Sequence, residues 1–161
     1  MVKNEGKIIT IEGLKKLQPH LQGKKTVLVG GCFDLLHYGH FQFLKKAKKT
    51  GDYLIIALES DQFIKNKKRK LPIHNQRQRA KILAVLNIVD LVVLLPLLSS
   101  DKDYFNFVKQ IKPSIIAVTK GDPQLINKQK QAKTVGGILK VVMPLIKRFS
   151  TQKYYATIFS H

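Results

Sequence analysis

Residues Gly30 to His40 read Gly-Gly-Cys-Phe-Asp-Leu-Leu-His-Tyr-Gly-His, and the fold turns on this stretch. Ahead of it, Lys24 to Val29 passes from charged to β-branched and apolar. Behind it, Phe41, Phe43, Leu44 and Ala47 recur at helical spacing. The stretch therefore joins a strand to a helix. In a parallel α/β sheet such a junction is where phosphates bind, because glycines let the backbone approach an anion and the first helical turn offers unpaired N–H groups carrying roughly +0.5 charge. His37 and His40 stand three residues apart at that positive end, spaced to face one ligand. Imidazole is the side chain whose charge changes near neutral pH, so the pair is suited to donate to phosphate oxygens whose charge grows during transfer.

Working outward, Thr10 is placed to cap a short helix in which Ile11, Leu14 and Leu17 share a face, with Pro19 as its end. Residues 1–23 thus read as an N-terminal helical arm and 24–161 as the domain that carries the phosphate site. The spacing predicts strands over Thr26–Gly30, Asp52–Leu58, Leu91–Leu95, Ile115–Val118 and Ile138–Met143. Helices are expected from the motif to Lys49, over Asn75–Asn87, Asp103–Ile111 and Gln124–Lys133, with a basic loop at Lys65–Lys70. Asp52–Leu58 is too continuously apolar for a half-exposed strand and reads as buried and parallel. Strict alternation of strands and helices gives an α/β class, a five-stranded parallel sheet flanked by helices in a single domain.

The chain has 161 residues, enough for one domain with a real core, and 44% of them are hydrophobic. No apolar run reaches the roughly 20 residues that cross a bilayer. The longest, Ile88 to Leu98, is broken by Asp90 and Pro96, and Met1–Thr10 lacks the apolar centre of a signal peptide, so the expected location is the cytoplasm. The single cysteine, Cys32, excludes an internal disulfide, and it reads as a small residue filling a tight turn. Charge is the unusual feature: 29 Lys and Arg against 10 Asp and Glu give +19. That excess favours anionic partners without choosing among nucleotides, phosphorylated sugars, nucleic acid and acidic membranes.

The run Gly31-x-Phe33-Asp34-x-x-His37-x-Gly39-His40 resembles, without a gap, the signature of the nucleotidylyltransferase superfamily. The order and spacing of elements over about residues 24 to 158 resemble its single-domain, Rossmann-like cytidylyltransferase and adenylyltransferase fold. Leu71-Pro72-Ile73, Arg77, Arg79, Leu83 and Val89-Asp90 are similar to the adenylyltransferase domain that makes ADP-heptose, as are Gly136-Gly137 and Phe149-Ser150-Thr151. The glycerol-3-phosphate cytidylyltransferases are the other near branch.

The resemblance implies transfer of a nucleoside monophosphate from ATP or CTP to a phosphorylated small molecule, with release of pyrophosphate and with Mg²⁺ as cofactor. It implies His37 and His40 on the α- and β-phosphates, flanked by Gly31, Gly39 and the backbone N–H groups of Cys32 and Phe33. Asp34 either orders the loop or takes part in Mg²⁺ binding. Lys67 or Lys68 closes over substrate phosphates, Arg79 contacts phosphates with Arg77 as its competitor, and Ser150 and Thr151 hold the β- and γ-phosphates at the last helix. Gly121 and Asp122 belong to the nucleotide site.

Two segments depart from the family pattern. Leu145 to Phe149 lacks the arginine, acid and glycine of the glycerol type, with Lys147 or Arg148 as the replacement charge. In Lys120-Gly121-Asp122-Pro123, Lys120 takes a glycine position and Pro123 an aromatic one. Relatives often form dimers. The alternative from another class is a basic nucleic-acid-binding module on a degenerate fold of this kind, whose affinity would fall steeply with salt and ignore the two histidines.

Overall fold

The computed structural model describes residues 5–146 and 149–158. After a 3₁₀ turn, Ile8–Thr10 forms β1 and Leu14–Leu21 forms α1. Then follow β2 (Thr26–Gly31), α2 (Tyr38–Lys48), β3 (Tyr53–Leu58), α3 (Asp61–Lys68), α4 (Gln76–Ala84), β4 (Leu91–Leu94), α5 (Asp101–Ile111), β5 (Ile115–Lys120), α6 (Leu125–Thr134), β6 (Ile138–Pro144) and α7 (Thr151–Ile158). All pairings are parallel, in the order β1-β4-β3-β2-β5-β6.

The sheet therefore has six strands where the sequence pattern gives five. The added strand comes from the stretch read as a helical arm: Ile8, Ile9 and Thr10 pair with Val92, Val93 and Leu94 at the edge. Three residues are too few to show an alternation, so only the edge of β4 reveals the strand. Thr10 makes no side-chain cap, and Pro19 lies inside α1 rather than ending it. A proline removes one bond of the ladder, and buried Leu21 holds the last turn in place.

Side-chain alternation sorts the core into two layers. On one face Leu28, Ile55, Ala57, Leu91, Val93, Ile116 and Val118 meet Leu14 and Leu21 of α1, Phe107, Val108 and Ile111 of α5, and Ala132 of α6. On the other face Val27, Val29, Leu54, Ile56, Leu58, Val92 and Ile115 meet Leu44 and Ala47 of α2 and Ala80 and Leu83 of α4. Buried on both faces, these strands are continuously apolar for the reason given for Asp52–Leu58.

Polar bonds fix the start of the strands. The amide of Thr26 donates to Ser114 Oγ at 3.2 Å and the amide of Ser114 to Thr26 Oγ1 at 3.1 Å, joining the amino ends of β2 and β5. Asp90 Oδ2 accepts from the Leu54 amide at 2.7 Å and from Lys48 Nζ at 2.5 Å, tying β3 to the end of α2. At the other end the strands part. β2 follows β3 over six residue pairs, to Gly31 and Leu58, but touches β5 only at Val27–Ile115 and Leu28–Ile116. Beyond Leu28 the two strands diverge and leave a cleft between them. This is where successive crossovers run in opposite directions along the sheet, the usual ligand site of an open α/β fold.

Leu44 is fully buried and pins α2, with the histidines at its start, onto the sheet. Leu44→Ala is expected to cost about 2–5 kcal/mol, read as a lower urea midpoint at unchanged slope. An unchanged midpoint would mean that α2 is held by something else.

Candidate active site

The cleft has a volume of about 360 Å³, within the usual range of about 300–1,000 Å³ for small-molecule sites. Its floor is the diverging ends of β2 and β5, with Gly30, Gly31, Ala117 and Thr119. A bulge supplies part of the wall. Val118 stands beside Val141 but Thr119 beside Met143, so the extra residue on β6 turns Met143 to the face of Thr119, and both line the cleft.

His37 is the N-cap of α2 and His40 its third residue, and the two cap each other. His37 Nδ1 accepts from the His40 amide at 3.3 Å and His40 Nδ1 from the His37 amide at 3.4 Å, a capping box made of imidazoles. The rings stack 3.8 Å apart at 17°. Because each Nδ1 accepts, the proton of each neutral ring sits on Nε2. Burial holds His37 below its ordinary pKa. Burial, then the charge of His37, push His40 down to about 3 against an opposing pull from the Leu35 carbonyl. Burial thus favours two neutral hydrogen-bond donors near neutral pH rather than rings at the point of changing charge.

The loop before α2 is built around Phe33, which is buried and has φ of 46°, the left-handed region that costs a non-glycine residue about 1–2 kcal/mol. Its ring lies 5.1 Å from that of His40 and fills the space beside Gly31, where an added Cβ would come within 2.8 Å of it. At Gly39 a Cβ would meet the His37 ring at 3.0 Å and Phe149 Cβ at 3.1 Å. Both glycines are thus required by close approach. Cys32 lines the cleft, and burial pushes its thiol up, which disfavours the thiolate.

Of the other expected residues, Ser150, Thr151 and Asp122 line the cleft. Ser150 Oγ accepts from the Lys153 amide at 3.3 Å, so a second helix, α7, begins at the cleft. Tyr154 of α7 lies 5.6 Å from the His37 ring. Lys147 and Arg148 lie outside the described residues. Gly121 does not line the cleft; with φ of 83° it makes the turn that presents Asp122.

Asp34 does not line it either. It is buried, its Oδ1 accepts from the Ile73 and His74 amides at 2.8 and 3.3 Å, and Lys70 lies 3.9 Å from Oδ2, so it orders the loop ahead of α4. The expected basic loop Lys65–Lys70 is helical as far as Lys68, the end of α3, which is capped by Ser60, whose Oγ accepts from the Phe63 amide at 3.1 Å, and anchored by buried Ile64. That geometry puts Lys67 on the solvent side and Lys68 on the cleft wall. Lys70 stacks over the Tyr155 ring at 3.6 Å.

Arg79 is 1% exposed and absent from the cleft wall, and Arg77 is exposed. The Arg79 guanidinium donates to the His74 carbonyl at 3.0 Å, the Cys32 carbonyl at 2.5 Å, the Glu59 carbonyl at 2.9 Å and Asp61 Oδ1 at 2.7 Å. It ties together the motif loop, the ends of β3 and α3, and the approach to α4. As placed, it is a positioning residue. Lys128, Phe43, Thr119 and Met143 also line the cleft and escape the sequence reading. Lys128 belongs to a polar helix whose face toward the cleft no local pattern marks.

Two helix N-termini, a glycine-lined floor and paired donor imidazoles converge on this cleft, an arrangement that suits a phosphorylated ligand. The cytidylyltransferase-like family profile matches residues 28–157. The chain is 41% identical over 114 residues to the bifunctional protein HldE of Campylobacter fetus subsp. fetus, covering 70% of this chain and 23% of that one. It is 34% identical over 145 residues to HldE of Geobacter metallireducens, covering 86% and 28%. The chain thus spans about a quarter of the length of these curated relatives.

Among solved structures, the lipopolysaccharide core biosynthesis protein from Thermoplasma volcanium superposes with a TM-score of 0.62 at 29% identity, over 76% of this chain and 97% of that one. Pantoate-beta-alanine ligase from Francisella tularensis shares the fold, with a TM-score of 0.66 at 18% identity over 93% and 76%. The chain belongs to the cytidylyltransferase-like family. Among the described residues, no helix is long and apolar enough to cross a membrane.

Arg79→Met would leave three carbonyls and Asp61 without a donor, and is expected to cost about 3–5 kcal/mol of stability in the absence of any ligand, read by urea or thermal unfolding. Unchanged stability with lost activity would place Arg79 on the substrate instead. Acid unfolding gives a second check. The folded protein binds a proton at His40 less readily than the unfolded chain, so its stability is complete above the unfolded value near 6.5 and falls as pH drops towards about 3. A His40→Asn variant is expected to lose less stability than the native chain between pH 7 and 4; equal slopes would contradict the assignment.

Proposed function

We propose that the chain transfers a nucleoside monophosphate from ATP or CTP to a phosphorylated small molecule, foremost a sugar phosphate of the heptose type, and releases pyrophosphate. The observation that carries this reading is the stacked pair His37 and His40 at the start of α2, facing the same cleft as the start of α7. An acceptor phosphate oxygen forms a bond to the α-phosphorus while the bond from that phosphorus to the α–β bridging oxygen breaks. Pyrophosphate leaves with the electron pair. No covalent step on the protein is needed, so the chain's work is positioning and charge compensation.

The two imidazoles donate from Nε2 to oxygens of the α- and β-phosphates, and burial, which lowers both pKa values, favours their neutral donor form near neutral pH. Ser150, Thr151 and the free amides of α7 hold the β- and γ-phosphates, and Lys68 adds a cation from the opposite wall. Asp122 keeps lone pairs for hydroxyl or amine donors, so in this reading the nucleoside lies at its end of the cleft.

The family resemblance implies Mg²⁺. Among the described residues no group of three or more His, Cys, Asp or Glu is gathered to hold a metal. The one carboxylate on the cleft wall, Asp122, is already bonded to Lys128 and to the Gln124 amide. This donor set does not fit a protein-held ion. Mg²⁺ enters our reading only as the counter-ion of the nucleotide's own phosphates.

Two lines of support favour ATP and a heptose phosphate among the alternatives: the identity to HldE proteins and the likeness to a lipopolysaccharide core biosynthesis protein. Nothing in the cleft or in the relatives favours the nucleic-acid-binding alternative. The test is pyrophosphate release with each of ATP and CTP against a panel of sugar phosphates and glycerol phosphate. One pair is expected to turn over, and His40→Ala to lower kcat by on the order of 10² or more. Nucleotide binding without pyrophosphate release for any acceptor would contradict the proposal.

A further inference from the structure

The nucleotide cleft contains a basic residue that the reaction above does not use. Lys128 of α6 places Nζ 2.7 Å from Oδ2 of Asp122, and the other oxygen, Oδ1, accepts from the Gln124 amide at 2.7 Å. Both side chains line the cleft and are withdrawn from solvent, at 25% exposure for Lys128 and 15% for Asp122. Nearby, at the end of β3, lies the buried Glu59. Its Oε1 accepts from the Tyr104 hydroxyl at 2.9 Å and its Oε2 has no hydrogen-bond partner. Burial pushes the Glu59 carboxyl up, and the Tyr104 hydrogen bond opposes this first, with a smaller contribution from the charge of Lys128. Lys128 therefore holds Asp122 at the nucleoside end of a cleft that must admit a polyanion.

The electrostatics make its presence necessary. A lone carboxylate in a half-closed cleft repels a triphosphate, and the repulsion is stronger there than in open water because less solvent screens it. Paired with an ammonium at 2.7 Å, the carboxylate contributes little net charge. It keeps lone pairs for hydroxyl or amine donors, and the ion pair fixes where they point.

We infer that Lys128 is a positioning residue of the nucleotide site: it cancels the charge of Asp122 and orients its carboxylate as an acceptor for the nucleoside of an incoming triphosphate. The inference rests on the proposed nucleotidyl transfer. It goes beyond it by assigning a role to a residue that no part of the motif contains. A purely structural role, a staple between the turn after β5 and α6, would affect unfolding and leave the affinity of the folded protein unchanged.

Calorimetric titration of ATP and CTP into the native chain and four variants separates the two. Lys128→Met is expected to weaken nucleotide binding by roughly tenfold, since it leaves Asp122 charged and unpaired. Asp122→Asn/Lys128→Met is expected to bind better than Lys128→Met alone and to within about threefold of Asp122→Asn, because removing the carboxylate removes the repulsion. Lys128→Arg, which keeps the charge, is expected to bind close to the native chain. Thermal melts without nucleotide establish that each variant is folded, and if Lys128→Met is not, Lys128→Gln takes its place under the same expectation.

Affinity within twofold of native in the folded Lys128→Met or Lys128→Gln overturns the inference. So does a double variant no better than the single one. If the native chain binds neither nucleotide, the functional reading falls and takes this inference with it. If the native chain binds and the variants are indifferent, the inference alone falls.

Discussion

The structure depends on a parting of two parallel strands. β2 and β5 are locked at their amino ends by the reciprocal Thr26–Ser114 bonds, pair at two positions, and then separate while β2 stays on β3 and β5 on β6. Past Leu28 and Ile116 the sides they turn to each other carry no ladder bonds. The elements that line the cleft are delivered to that gap by the crossovers on either side. The motif loop and α2 follow β2, Lys68 comes on α3 after β3, Asp122 and Lys128 follow β5, and Ser150 and Thr151 follow β6. A sheet whose strands stayed paired to their carboxyl ends would have the same residues and no site.

What holds the gap in shape is polar and buried. One guanidinium, that of Arg79, ties the motif loop at Cys32 to Glu59, Asp61 and His74. One carboxylate, that of Asp34, fixes the amides of Ile73 and His74. Removing either partner of such a bond strands a buried polar group, so these residues are constrained as strongly as those that touch the ligand. Residues implicated in a reaction by resemblance thus divide in two. His37, His40, Asp122, Ser150 and Thr151 form the cleft wall, whereas Arg79 and Asp34 shape the loops that make it. The left-handed backbone at Phe33 belongs to the second group, since its ring supports His40 and packs beneath Gly31.

Much of this was legible in the sequence, because periodicity and local chemistry carry it. The buried strands announce themselves by unbroken apolar runs, and the helix start at His37 by the glycine-rich approach and the apolar spacing that follows. Features set by distant partners were not legible. The edge strand Ile8–Thr10 exists because β4 offers it a free edge, with each paired residue 84 positions further along the chain. A basic segment that looks like a loop becomes helical because Ser60 caps it and Ile64 finds a core. Whether Arg79 faces ligand or protein depends on carbonyls from three other segments. The neutrality of the histidines follows from their mutual capping and burial, which spacing alone does not specify. The partner of Asp122 is one helix further on, and its lysine looks like any other in a chain of charge +19.

In the proposed reaction two neutral imidazoles present Nε2–H to a nucleotide's α- and β-phosphates. Long-range ¹H–¹⁵N spectra of the histidine rings, recorded at pH 7 as ATP or CTP is added, test it most directly. The account predicts that His37 and His40 begin as neutral Nε2–H tautomers, and that their Nε2 resonances move together as the nucleotide binds. Rings already protonated at pH 7, or resonances that stay fixed while the nucleotide saturates the protein, would contradict it.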